Sequence, residues 1–114
     1  MRPGKLDETA LTQWLGSHAG WEKTRLPQAR AAGESAEPNA DAGGQDAIAR
    51  TFKFADFSAA LGFVVRVGLV AEKRDHHPDV ELGWGRARVV WTTHDQKGVT
   101  SLDVELAEAT DKLA

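Results

Sequence analysis

The sequence predicts an α+β fold: a two-layer sandwich whose four-stranded antiparallel sheet carries helices on one face, in the order α-β-β-α-β-β-α. Three observations lead there. Three segments repeat apolar residues at helical spacing. The segments between them alternate apolar and polar residues, as half-buried strands do. The last two of these are joined near Gly83 and Gly85 by a connection short enough for an antiparallel pair.

The first helix is expected from Leu6 to His18. Leu6, Ala10, Leu11, Trp14 and Leu15 fall near helical spacing, and Gly16 and Gly20 mark its end. His18 reads as a C-terminal cap residue. A brief strand follows at 21–26. Residues 27–46 hold no large apolar side chain. Such a segment buries too little surface to offset its ordering entropy, so a flexible loop is expected there. Too little chain precedes it to fold alone, so residues 1–114 read as a single domain.

Alternation resumes at Ile48–Phe54, a half-buried strand. Asp56 is placed to cap a helix running to about Lys73. Phe57, Ala60, Leu61, Val64, Val67, Gly68 and Ala71 form its apolar stripe, and Phe63 and Val70 widen it. A stripe that wide predicts contact with both the sheet and a second subunit. Pro78 stops the helix. Asp79–Trp84 and Arg86–His94 read as the last two strands, with His94 on the face opposite Val89 and Trp91. Asp95–Gly98 is a turn. Thr100-Ser101-Leu102-Asp103 resembles a capping box that opens a last helix to about Leu113.

Composition narrows the function. With 114 residues and 41% hydrophobic content, the chain can build one modest core, and self-association is a common support for a domain of this size. A net charge of -3 gives no electrostatic reason to bind nucleic acid or an anionic membrane. No cysteine is present, which excludes disulfides, thiol nucleophiles and zinc–thiolate sites. The start of the sequence shows no apolar signal region. The most apolar stretch, Ala59–Ala71, is interrupted by Arg66 and is too short to span a bilayer. A cytoplasmic protein is expected.

The residues able to carry chemistry are few. His76 and His77 precede Pro78, which pushes His77 out of helical geometry. Two imidazoles in a constrained turn can act as acid, base or hydrogen-bonding clamp. Glu72 lies one helical turn before His76 and could orient an imidazole. His94 ends the last strand. Adjacent side chains such as His76 and His77 rarely converge on one ion, so no metal is expected. Asp103 has a purely structural explanation in the capping box. Thr92 and Thr93 read as ordinary strand residues, and Trp84 and Trp91 as packing residues.

Taken together, Glu72-x-x-x-His76-His77-Pro78, Thr93-His94-Asp95, Gly98-Val99-Thr100 and Asp103 resemble the pterin-4a-carbinolamine dehydratases. Gly20-Trp21, Phe52-Lys53-Phe54-Ala55-Asp56-Phe57 and Ala60-x-x-Phe63-Val64 add to the likeness, which runs from about Leu6 to Leu113 outside the 27–46 loop. The resemblance implies dehydration of 4a-hydroxytetrahydropterin to quinonoid dihydropterin, in recycling the tetrahydrobiopterin of aromatic amino-acid hydroxylases. It implies a pterin substrate, no metal or organic cofactor, and a homodimer or homotetramer. It carries over a catalytic set of His76, His77 and His94, with Glu72, Pro78 and Asp103 in support. His76 and His94 would transfer protons, and His77 would bind and orient the pterin. This chain departs from the family pattern at Val80, where members usually have Trp, and at Leu82 and Trp84, where they commonly have Asn and Tyr. Val80 removes an aromatic side chain near the site, which leaves pterin packing and affinity open, and Val80 and Trp84 together leave open a different pterin-like substrate. Members of this fold also serve as dimerisation or assembly partners. A non-catalytic module of that kind would use helix residues such as Phe63 and Val70 and would not need all three histidines.

Overall fold

Short acidic side chains decide where two of the helices begin. Asp7 accepts the Ala10 backbone N–H at 2.7 Å and opens α1, Glu8–Ser17. Asp56 accepts the Ala59 N–H at 2.8 Å and opens α2, Phe57–Arg74. Thr100 and Asp103 form a capping box and open α3, Ser101–Leu113. The structure is a computed structural model that describes residues 4–26 and 44–114. Its strands are β1 (Glu22–Leu26), β2 (Gln45–Lys53), β3 (Asp79–Gly83) and β4 (Arg86–Trp91), and a 3-10 turn, His94–Gln96, separates β4 from α3. The order is therefore the expected α-β-β-α-β-β-α. The loop expected at 27–46 lies largely outside the described residues. Its last two residues are strand instead, with Gln45 opposite Leu26 and Asp46 opposite Arg25.

The sheet order is β1-β2-β4-β3, and every neighbouring pair is antiparallel. β2 and β3 thus flank β4 and run the same way, and α2 carries the chain back between them. Alternation along the strands separates the faces. Ile48 and Phe52 of β2 and Ala87, Val89 and Trp91 of β4 join Leu11 of α1, Phe63, Val67 and Ala71 of α2, and Leu106 and Ala107 of α3 in one core. All three helices meet that single face. Ala47, Ala49 and Val90 form a small second cluster with Leu26. Outside the core, Lys23 links α1 to the sheet through Glu8 and Asp46, and those contacts, the Glu8 hydrogen bond first, raise its pKa above the ordinary lysine value.

Two expectations need correction. β4 ends at Trp91 and does not reach His94. The Thr92 hydroxyl donates to the Asp46 carbonyl, and the Thr93 backbone pairs with Gly98, so the chain leaves the ladder. On α2, Phe63 does not face a partner. It shares a side with Ala60, Val67 and Ala71 and is wholly buried, while Val70 is half-buried against the core. The outward apolar residues are Phe57, Leu61, Val65 and Leu69, one turn apart. Among the described residues, no helix is long and apolar enough to cross a membrane.

Candidate active site

The site begins with the way α2 stops. Asp75 takes the left-handed conformation (φ 50°, ψ 44°), and its N–H turns back to the Ala71 and Glu72 carbonyls. The His76 N–H returns to the Ala71 carbonyl at 3.1 Å. This Schellman-type closure satisfies the last carbonyls and swings the chain off the helix axis. The two adjacent histidines consequently have different fates. His76 is buried, its ring stacked on Trp91 with centroids 5.8 Å apart. His77 is exposed, and its Nε2 lies 3.0 Å from Glu72 Oε2.

Behind His76 stands a buried carboxylate. Asp103 Oδ1 is 2.6 Å from His76 Nε2. Its Oδ2 accepts the Thr93 hydroxyl at 2.7 Å, the Thr100 backbone N–H at 2.8 Å and the Thr100 hydroxyl at 3.2 Å. Asp103 therefore closes the capping box of α3 and holds His76 at once. His94 arrives by a separate route. Thr93 N–H donates to the Gly98 carbonyl at 2.9 Å and Gly98 N–H to the Thr93 carbonyl at 3.2 Å. This clamp closes a short turn that presents an exposed His94.

The three histidines meet at one cavity of about 400 Å³, lined by Asp75, His76, His77, Pro78, Asp79, His94 and Asp95. Four of the residues singled out in the sequence, His76, His77, Pro78 and His94, are thus on its wall. Glu72 and Asp103 are not on the wall and each holds one of the imidazoles. Glu72 reaches His77, not His76, because the turn at Asp75 takes His76 off the helix face. Val80 and Trp84 are not among the residues lining this cavity. Trp84 is 73% exposed, on the turn at the far end of β3 from Asp79.

The sequence reads Thr93 as a strand residue, Trp91 as packing and Thr100 as part of the capping box, and it does not show that all three gather around His76 and Asp103. The available signal was register: Thr93 continues the inward series Val89, Trp91 and so points at the buried carboxylate. His18 caps α1 as expected, its Nδ1 2.8 Å from the Trp14 carbonyl. Among the described residues, no group of three His, Asp or Glu side chains is arranged to hold a metal ion.

The geometry can be set beside known proteins. The sequence model of the family described as Pterin 4 alpha carbinolamine dehydratase matches residues 4–113. A relative from Bradyrhizobium sp. (strain BTAi1 / ATCC BAA-1182) is 59% identical over 71 residues, covering 62% of this chain and 72% of its own. One from Rhizorhabdus wittichii is 52% identical over 71 residues, covering 62% of this chain and 73% of its own. Both bear the name "Putative pterin-4-alpha-carbinolamine dehydratase". The fold is similar to the crystal structure of a transcriptional coactivator/pterin dehydratase from Brucella melitensis, with a TM-score of 0.74, 33% identity, and coverage of 97% of this chain and 99% of that one. With a family match across nearly its whole length, this chain belongs to the pterin-4-alpha-carbinolamine dehydratase family.

Proposed function

We propose that this protein dehydrates 4a-hydroxytetrahydropterin to quinonoid dihydropterin and water, in the recycling of tetrahydrobiopterin, by acid–base catalysis from histidines. The observation that carries this reading is the convergence of His76, His77 and His94 on one cavity of about 400 Å³. The reaction is an elimination. The C4a–O bond breaks and the hydroxyl leaves as water, while a ring nitrogen loses its proton. A general acid must protonate the departing oxygen and a general base must take the nitrogen's proton. Two imidazoles facing the same cavity meet that demand. His76 and His94 take these roles, and His77, steadied by Glu72, orients the pterin.

The test is the disappearance of enzymatically generated carbinolamine. The protein is expected to speed it, and His76→Ala or His94→Ala to slow turnover by about 10²–10⁴-fold. His77→Ala is expected to act mainly on KM. A purified, folded protein that leaves the spontaneous rate unchanged refutes the proposal.

The protein works in this reading as a homodimer or homotetramer. Support comes from Phe57, Leu61, Val65 and Leu69, large apolar side chains aligned on the outer side of α2. The same stripe supports a second reading, an interaction module that binds a different protein. A stoichiometric protein partner whose binding ignores substitutions of all three histidines, with no dehydration, would favour that module over the enzyme.

A further inference from the structure

We propose that Thr93 is a positioning residue that fixes the tautomer of His76 and ties it to the turn bearing His94. The catalytic meaning of this rests on the dehydratase reading, but the tautomer does not.

The Asp103 carboxylate can only accept hydrogen bonds. Its Oδ1 lies 2.6 Å from His76 Nε2, a distance that requires a hydrogen between them. That hydrogen is the ring's, so the neutral ring carries it on Nε2, and Nδ1 becomes the accepting nitrogen. A carboxylate turns easily about its last torsion, so something must keep Oδ1 aimed at the ring. Three donors on Oδ2 do so. Two belong to Thr100, three residues away at the start of the same helix. Thr93 supplies the third from beyond the end of β4.

Thr93 Oγ1 is central to this group. It lies 2.7 Å from Asp103 Oδ2, 3.0 Å from Thr100 Oγ1 and 3.5 Å from His76 Nε2. The residue is 1% exposed and is not among those lining the cavity, so it acts through its neighbours. Its backbone has a separate task. It forms both hydrogen bonds to Gly98 that close the His94 turn, and its carbonyl also accepts from Gln45 Nε2 at 3.2 Å. One residue therefore sets the tautomer of the buried histidine through its hydroxyl and the place of the exposed one through its main chain.

The test uses protein labelled with ¹⁵N at histidine and read by long-range ¹H–¹⁵N correlation of the imidazoles. In the native protein at high pH, His76 is expected to show the Nε2–H pattern alone. Thr93→Val keeps the β-branched shape and removes the hydroxyl. It should turn that pattern into a mixture of tautomers and lower kcat about tenfold with little change in KM. Thr93→Ser should restore both. An Nδ1–H pattern in the native protein overturns the proposal, and this holds even where Thr93→Val does not fold. A folded Thr93→Val that keeps the pure Nε2–H pattern also overturns it, whatever its rate. A native protein that shows the Nε2–H pattern but fails to speed dehydration would sink the enzyme reading and leave the Thr93 assignment standing.

Discussion

At the scale of single residues, Asp103 has the most to lose. Its two oxygens meet four donors: the His76 ring, the Thr93 hydroxyl, and the hydroxyl and backbone N–H of Thr100. Asp103→Ala removes a helix cap and takes the acceptor from the His76 ring and the Thr100 backbone N–H, leaving the two threonine hydroxyls to each other. A loss of about 3–5 kcal/mol is expected, read as a shift of the urea midpoint. Asp103→Asn keeps the shape but offers only one accepting atom, and its amide hydrogens face groups that also donate. Either the threonines or His76 must give way. The variant is expected to keep its far-ultraviolet circular dichroism and lose at least about tenfold in dehydration rate. Full activity in a folded Asp103→Asn would refute a role for the carboxylate in holding His76. The sequence made part of this readable. Thr100 and Asp103 showed the capping box through local spacing, and His76, His77 and His94 stood out by residue type. The hydroxyl of Thr93 did not, because its partners, Thr100, Asp103 and His76, lie outside the spacing of any local motif.

At the scale of elements, two turns hold the site, and each uses a residue other than glycine at positive φ. Asp75 sits at φ 50° just before His76, and Lys97 at φ 56° just after the turn that carries His94. Aspartate tolerates this region, since its short side chain can bond locally, but lysine gains nothing from it. Lys97→Gly should therefore stabilise the protein by roughly 0.5–1 kcal/mol after glycine's own entropy cost, measured by thermal unfolding. An unchanged or lower midpoint would mean the turn is not strained. Gly85 gives the opposite case. It has φ 70°, and an added Cβ would lie 3.1 Å from the Phe54 carbonyl oxygen. Gly85→Ala should cost about 1–2 kcal/mol at an unchanged denaturant m-value. Element boundaries were legible where a local signal set them. Asp56 opens α2 as read from its position, and Pro78 follows its end. The end of β4 was not legible. Thr92 and Thr93 suit a strand, and only their bonds to Asp46 and Gly98 take them out of the ladder.

At the scale of the whole molecule, the helical and alternating periods gave the order of elements, but period alone could not orient α2. A wide stripe was readable, and its partner-facing edge was misplaced onto Phe63, which fills the core. The edge that remains is Phe57, Leu61, Val65 and Leu69, at 43%, 43%, 51% and 66% exposure. Single exposed apolar residues are ordinary, but a line of four at one-turn spacing makes a continuous seam. Covering it with the same seam of a second copy removes both from water, at about 25 cal/mol for each Å² of apolar surface. A two-fold pairing of α2 helices satisfies this with a single patch on each subunit. The native protein should therefore sediment as a dimer or larger assembly. Leu61→Glu combined with Val65→Glu places like charges along the seam and should shift the protein to monomer in sedimentation equilibrium. Both positions lie toward the middle of α2, whereas the cavity gathers at its C-terminal end, around Asp75 to Asp79 and His94. Dehydration per subunit should accordingly survive the double substitution, even with a lower melting temperature. A native protein that is already monomeric at micromolar concentration, or a double variant that stays assembled, would remove α2 as the self-association surface.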